Sequence, residues 1–184
     1  MTRKEAIELL KENLDNINLF KHSLAVEAVM RELAGHFGED PEAWGLAGLL
    51  HDIDYERTKD RPDIHSLEGA KLLEEKGLPE EIVYAVKVHN DRHGLPRKSL
   101  MDKALFSTDP VTGLIVAGAL IKKEKSLSAI DVPFLLKRMG EKSFARGANR
   151  ETIKCCSEMG LSLEDFLGIS LRAMQKISAE MGLQ

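Results

Sequence analysis

Six ionisable side chains lie where a helical repeat would turn them toward the interior of the protein. His22, for example, shares a helical stripe with Val26, Val29 and Leu33. Because unpaired buried charges cost several kcal/mol, inward histidines and aspartates need a common partner. A divalent cation would pair the carboxylates and accept the imidazole nitrogens. The six candidate metal ligands are His22, His51, Asp52, His65, His89 and Asp109.

The other candidates have similarly apolar surroundings. The doublet His51-Asp52 follows the apolar run at 46–50, and His89 continues the apolar face of the helix before it. Asp109 likewise continues an apolar face. So many ionisable groups from separate helices could hardly each find its own partner in the interior. This favours a shared metal site.

A glycine stands one helical turn after His65, at Gly69, and would let a bulky group or another backbone approach that histidine. Asp54 is placed to hydrogen-bond a ligating histidine. A donor set of imidazole nitrogens and carboxylate oxygens suits Mn, Fe, Co, Ni or Zn better than Ca or Mg alone. We therefore expect one or two transition-metal ions as the cofactor.

The elements that must position these residues are helical throughout, because the hydrophobic period matches helices and no alternating strand pattern is present. Capping residues and helix breakers set the expected boundaries. We expect a first helix opened by the capping box Thr2–Glu5, helices at about 19–37, 40–54, 63–76, 79–89 and 99–110, a polar loop at 55–62, a Gly-spaced apolar segment at 111–121, and later helices opened by Asp131, Asn149 and Ser162.

Length and composition limit the possible classes of protein. A chain of 184 residues with 43% hydrophobic and 30% charged side chains fits one compact all-α domain over residues 1–184. The ligand-bearing core would cover about 19–121, with C-terminal helices at about 131–181 packing on it. The net charge of −4 shows no global basic bias, and no apolar run is long enough for a membrane span. The adjacent Cys155 and Cys156 frame no disulfide loop, so we expect a cytoplasmic protein.

The ordered set His22, His51-Asp52 and Asp109 resembles the HD superfamily of metal-dependent phosphohydrolases. With His65 and His89 added, the set is similar to the subgroup whose site can hold two metals. The resemblance implies that His22, His51, Asp52 and Asp109 hold one ion. It also implies that His65 and His89 hold a second ion and that Asp52 bridges the pair. A hydroxide held between two ions would attack phosphorus in line, so no protein nucleophile is needed.

The sequence departs from this family after the doublet. Many relatives continue with Ile-Gly and a lysine that contacts phosphate, whereas this chain continues Ile53-Asp54-Tyr55-Glu56. The phosphate grip must therefore come from other basic residues. The candidates on the loop after the doublet are Arg57, Lys59 and Arg61, and the other interpretation of that loop is a solvated charged turn.

A second basic segment lies at 121–150, where eight Lys and Arg side chains stand against three acidic ones. Within it, Lys142 and Arg146 are candidates for binding an anionic substrate, although a solvated basic face explains them as well. His93, four residues after His89, is a candidate proton donor beside the catalytic Asp52. No aromatic residues alternate with the basic ones, so we expect a small phosphate-containing substrate and no nucleic-acid groove.

Three functions remain open at the level of sequence. The leading one is a metal-dependent phosphohydrolase acting on a nucleotide or another small phosphate ester. An HD-type di-iron oxygenase would use the same ligands. The missing lysine also leaves open a catalytically silent module that binds metal or nucleotide. Substrate, metal identity and oligomeric state are not readable from the residues.

Overall fold

The computed structural model describes residues 1–141 and 143–184, and within them it contains helices and turns but no strand, which confirms the all-α prediction. Three short 3₁₀ turns at Asp91–His93, Leu127–Ala129 and Cys155–Met159 join the longer elements. The helices are α1 Arg3–Asn13, α2 Ile17–Phe37, α3 Pro41–Leu50, α4 Tyr55–Thr58, α5 Leu67–Glu75, α6 Glu80–Val88, α7 Leu100–Leu120, α8 Val132–Met139, α9 Arg150–Lys154, α10 Leu163–Lys176 and α11 Ser178–Met181.

Local capping accounts for most of the helix starts. Thr2 and Glu5 form the predicted capping box of α1, and Asp40 caps α3 with a proline in its first turn. Gly38 ends α2 in the left-handed conformation, at φ 73°. The predicted starts of the later helices are confirmed as well. Asp131, Asn149 and Ser162 each accept a hydrogen bond from a backbone N–H in the helix that follows.

Helices α2 and α3 pack closely because α3 carries glycine at the contact. A Cβ atom added at Gly48 would lie 2.9 Å from the backbone oxygen of Val26, closer than real side chains approach. Only a residue without a side chain allows this spacing. The close approach brings His22 on α2 beside His51 at the end of α3, with 5.1 Å between the ring centroids.

Helix α7 runs without a break through Pro110, so the prediction of a helix ending there and a separate segment at 111–121 is wrong. Proline keeps a helical φ, but it removes one backbone hydrogen bond and its ring crowds the carbonyl four residues earlier, so the continuation must be stabilised by packing. Buried apolar side chains on both sides of it, such as Leu105 and Leu114, hold the two parts against the same core. Asp109 therefore stands in the middle of a long, rigid helix.

The chain between α3 and α5 also differs from the prediction. Helix α3 ends at Leu50 rather than near residue 54, the expected loop at 55–62 contains the short helix α4, and α5 begins at Leu67 rather than at 63. Helix α5 starts late because Ser66 takes a left-handed φ of 71° and cannot continue a helix. Its backbone N–H instead donates to the buried carboxylate of Asp54, at 2.8 Å.

The C-terminal helices share the hydrophobic core of the rest of the chain. Phe166, on α10, is fully buried, and α10 packs against α2 and α8. Helix α9 and the 3₁₀ turn after it pack against α7, which places residues near 150 beside the helix that carries Asp109. Within the described part of the chain, no helix has both the length and the hydropathy needed to cross a membrane.

Candidate metal centre

The structure brings all six candidate ligands together, from five separate parts of the chain. His22 lies on α2, His51 at the C-terminal cap of α3, and Asp52 in the turn that follows. His65 lies in the turn before α5, His89 at the C-terminal cap of α6, and Asp109 on α7. We call the group of His22, His51 and Asp109 the His51 half and the pair His65 and His89 the His65 half.

Asp52 stands between the two halves and presents one carboxylate oxygen to each. Its Oδ2 lies 3.5 Å from His51 Nε2 and 3.8 Å from His22 Nε2. Its Oδ1 lies 3.3 Å from His65 Nε2 and 3.5 Å from His89 Nε2. A carboxylate with four imidazole nitrogens divided between its two oxygens has the arrangement of a bridging ligand.

Asp109 completes the His51 half. Its Oδ1 lies 3.1 Å from His22 Nε2 and 3.9 Å from His51 Nε2. Its side chain is 39% exposed, whereas that of Asp52 is 9% exposed. One side of the His51 half is therefore open to solvent, where a substrate can approach.

Each of the four rings is anchored through Nδ1, so each directs Nε2 into the cluster. His51 Nδ1 bonds the Gly48 carbonyl at 2.8 Å, and His89 Nδ1 bonds the Val86 carbonyl at 2.6 Å. The remaining two rings use side chains, since His65 Nδ1 lies 2.9 Å from Asp54 Oδ1 and His22 Nδ1 lies 3.1 Å from Thr112 Oγ1. Such anchoring fixes the tautomer and orientation of metal-binding histidines.

The residues fit a bound metal. His51 Nε2 is buried and has no hydrogen-bond partner among the residues that the structure describes. In two groups, His22–His51–Asp109 and His51–Asp52–His89, one ligand atom of each residue lies within 4.8 Å of those of the others. A cation between these nitrogens and oxygens would satisfy the bare His51 nitrogen and the carboxylates together.

The protonation states of the deeper residues also suit a metal. Burial alone would raise the pKa of Asp52, but His51 and the hydrogen bonds of His65 and His89 hold it well below its ordinary value. Burial lowers the pKa of His51 to about 4. Asp52 is therefore a carboxylate and His51 a neutral imidazole at neutral pH, the forms in which both residues bind metal.

His65 has a different electrostatic environment. Burial would lower its pKa, but hydrogen bonds to Asp52 and Asp54 raise it to about 10. Asp54 is fully buried, and its Oδ2 accepts bonds from the backbone N–H groups of Ser66 and Gly69, at 2.8 and 2.9 Å. A Cβ at Gly69 would lie 3.2 Å from the Asp54 carboxyl carbon. The absence of a side chain at Gly69 therefore makes room for the Asp54 carboxylate. That carboxylate hydrogen-bonds the ligating His65, as predicted.

A pocket of about 440 Å³ opens over the cluster. Tyr55, 39% exposed, stands at its wall with its ring edge-on to His65, at 5.3 Å between centroids. Gly147, Asn149 and Thr152, from the C-terminal part of the chain, also line the pocket. The full lining is Leu19, His22, Asp52, Tyr55, His65, His89, Asn90, Asp91, Phe106, Asp109, Pro110, Gly147, Asn149 and Thr152.

Among the residues that the structure describes, the other predicted site residues do not line this pocket. Arg57 and Lys59 are exposed on and just after α4. His93 directs Nε2 to the backbone carbonyl of His65, at 2.7 Å, so that nitrogen is engaged with the main chain. Arg146 lines a neighbouring surface groove of about 480 Å³, and Lys142 lies outside the described residues.

Some residues near the centre were not found from the sequence. Thr112 follows Asp109 by three residues on one face of α7, a spacing that could have linked it to the ligand set. Asn149 and Thr152 carry no such signal, because only tertiary packing of α9 on α7 places them at the pocket.

The fold and site define an all-helical protein in which a cluster of His and Asp side chains could hold metal. The family model of the HD domain matches residues 19–132, more than half of the chain, and the chain belongs to this family. This confirms the resemblance based on the His and Asp pattern.

Several curated proteins are similar to the chain. Ribonuclease Y from Desulfotalea psychrophila is 33% identical over 96 residues, which cover 52% of this chain and 18% of that protein. Symmetrical bis(5'-nucleosyl)-tetraphosphatase from Halalkalibacterium halodurans is 26% identical over 132 residues, covering 59% of this chain and 68% of that protein. The match thus spans less than a fifth of the ribonuclease Y. No solved structure matches the chain at a comparable level of significance.

Proposed function

We propose that this protein is a metal-dependent phosphohydrolase acting on a nucleotide or another small phosphate ester. The observation that carries the proposal is the position of Asp52, whose two oxygens face two separate sets of imidazole nitrogens. The names of two relatives, a ribonuclease and a nucleosyl tetraphosphatase, agree with chemistry at a phosphate linkage of a nucleotide.

The His51 half and Asp52 Oδ2 would hold one divalent ion, and the His65 half and Asp52 Oδ1 would hold a second. Two such ions supply Lewis-acid stabilisation of phosphoryl oxygens and an activated water as nucleophile. We propose Mn, Fe, Co, Ni or Zn, because four imidazoles with two carboxylates form a mixed nitrogen and oxygen donor set.

The chain itself orients the reactants. Anchored rings and the buried Asp52 preset the donor atoms, so little reorganisation is needed when charge develops on the phosphoryl group. The exposed side of Asp109 leaves room for a phosphoryl group beside the His51 half. An activated water would serve as the nucleophile, so no protein nucleophile is required.

The pocket favours a small substrate that carries a partly apolar group beside its phosphate. Leu19, Tyr55 and Phe106 offer apolar surface, while Asn149 and Thr152 offer neutral hydrogen-bonding groups. The neighbouring groove of Arg146 shares Gly147 and Asn149 with this pocket. We therefore propose Arg146, rather than Arg57 or Lys59, as a contact for a second anionic group of the substrate.

Metal analysis of the purified protein followed by a substrate panel tests the proposed function. The panel contains mononucleotides, dinucleoside polyphosphates, cyclic dinucleotides and a short RNA, each with Mn²⁺, Co²⁺ or Zn²⁺. We expect metal-dependent release of phosphate or of a nucleotide product. Asp52→Asn should lose at least about a hundred-fold in kcat/KM while it keeps its helical circular dichroism.

The same experiment separates the alternatives. Turnover that persists without oxygen, with Mn²⁺ or Co²⁺, supports hydrolysis and contradicts an oxygenase. Oxygen consumption by an iron-loaded sample would instead support the oxygenase. Tight nucleotide binding with no turnover under any metal would show a silent module. Unchanged activity of a well-folded Asp52→Asn variant would refute the proposed function, because Asp52 faces both halves of the centre.

A further inference from the structure

The hydroxyl of Thr112 connects two candidate ligands of the same half. Its Oγ1 lies 3.1 Å from His22 Nδ1 and 2.9 Å from the backbone oxygen of Asp109. Thr112 is 1% exposed, so water does not compete for either bond. One buried hydroxyl thus joins the ring of a residue on α2 to the backbone of a residue on α7.

The chemistry of the hydroxyl assigns a direction to each bond. A hydroxyl has one hydrogen, and the Asp109 carbonyl can only accept, so Thr112 donates to that carbonyl. The remaining lone pairs of Oγ1 then accept the Nδ1 hydrogen of His22. This places the ring hydrogen on Nδ1 whenever the ring is neutral and leaves Nε2 bare, 3.1 Å from Asp109 Oδ1.

His22 differs from the other three rings in the group that anchors its Nδ1. His51 and His89 bond main-chain carbonyls within their own helical turns, and His65 bonds the buried Asp54 carboxylate. The His22 anchor is the one among these four that a single side-chain substitution can remove without touching a charge. It is therefore the simplest place to test how the anchoring of a ring affects the centre.

We propose that Thr112 is the positioning residue of the His51 half, holding the Nδ1–H tautomer of His22 and its orientation relative to Asp109. The role rests on the proposed metal centre and extends it to a residue that binds no ion itself. Loss of a partner that orients a ligating histidine weakens metal binding about 10- to 100-fold.

Two substitutions of Thr112 distinguish whether its hydroxyl or its packing supports metal binding. Thr112→Val keeps the shape but removes the hydroxyl, whereas Thr112→Ser keeps the hydroxyl but removes a methyl group. We expect Zn²⁺ titration against a chelating dye to show one of two bound ions weakened about 10- to 100-fold in Thr112→Val. Thr112→Ser should bind both ions nearly as the wild-type protein does.

Thr108 provides a matched control on the same helix. It is fully buried, and its Oγ1 has no hydrogen-bond partner within the described residues. Thr108→Val should leave Zn²⁺ binding unchanged. Wild-type binding by Thr112→Val, or weaker binding by Thr112→Ser than by Thr112→Val, would overturn the proposal.

Nitrogen-15 NMR of the Zn²⁺-loaded wild-type protein tests the tautomer without any variant. We expect His22 to carry its hydrogen on Nδ1, and a ring with bare Nδ1 would contradict the proposal even if Thr112→Val failed to fold. These readouts need no substrate. A protein that binds two ions and hydrolyses nothing would refute the proposed function, and the role of Thr112 would still be decided by ion binding.

Discussion

The His51 half and the His65 half of the centre are positioned by different kinds of structure. His22 and Asp109 lie within the long helices α2 and α7, and His51 caps α3 at its close contact with α2. His65, by contrast, lies in a turn between short helices and depends on the buried Asp54 carboxylate.

The two halves thus show two ways in which a fold can hold candidate metal ligands in position. Packing of long helices sets the His51 half, so the hydrophobic core stabilises it together with the fold. A local polar network sets the His65 half, so single polar substitutions should affect it selectively. With Asp52 included, the His51 half offers four residues and the His65 half three, which predicts tighter binding in the His51 half.

The largest effect on metal content and activity should come from removing a single ligand, in one variant from the His51 half and in a second variant from the His65 half. We expect His89→Ala to leave about one ion, because the His51 half keeps its four residues, and His51→Ala to leave less than one, because each half then offers only three. Both variants should lose at least about a hundred-fold in activity. Metal analysis after gel filtration measures the difference. Equal metal content in the two variants would refute the ranking of the halves.

A substitution at Asp54 should affect the His65 half alone. Asp54→Asn replaces an acceptor of three hydrogen bonds with a group that keeps one acceptor oxygen, which should cost about 2–3 kcal/mol in the free energy of unfolding. We also expect one ion to bind about 10- to 100-fold more weakly. Urea unfolding and Zn²⁺ titration check the two effects. The exposed neighbour Asp63→Asn is the control and should change neither quantity.

The two halves should also differ in the protons that they release. His65, with its pKa raised to about 10, is protonated at neutral pH and must lose a proton to bind metal through Nε2. Affinity in the His65 half should therefore fall up to about tenfold per pH unit as pH drops below 10. In the His51 half, His51, with a pKa of about 4, releases none. Burial would lower the pKa of His22, but its hydrogen bond to Asp109 raises it, so the protons released from this half come from His22. Calorimetry in two buffers counts the protons, and Asp54→Asn should weaken the pH dependence.

The smallest effect should come from the rim of the pocket. Arg146 is exposed and lines the groove next to the metal pocket, so Arg146→Gln should raise KM a few-fold for substrates with two anionic groups and leave kcat unchanged. A substrate with one phosphate should show no change. Exposed Arg57 provides the control, since Arg57→Gln should alter neither substrate. Equal effects of both variants would remove the special role of Arg146.

The parts of the fold that could be predicted from sequence are those with local causes. Asp131 and Ser162 cap helices through bonds to their own first turn, so their positions can be read from a few residues. The continuation of α7 through Pro110 could not, because it depends on burial of both parts of the helix against the core.

The candidate ligands could be predicted because an inward helical face leaves a histidine such as His22 few uses other than a shared ion. The residues that line the pocket were harder to predict. A basic residue in a sequence indicates exposure but not the direction in which the side chain points, and Arg57 and Lys59 lie away from the pocket. Asn149 reaches the pocket through packing of distant segments, which no local pattern records.

The Nδ1 anchors of the four rings also bear on how fast the centre fills with metal. Since each ring is already held by an acceptor, as His51 is by the Gly48 carbonyl, no imidazole has to rotate before an ion enters. The rate of loading should then depend on how quickly the ion sheds its own water. Ni²⁺, which exchanges water slowly, should load more slowly than Mn²⁺ or Zn²⁺, whatever their final affinities.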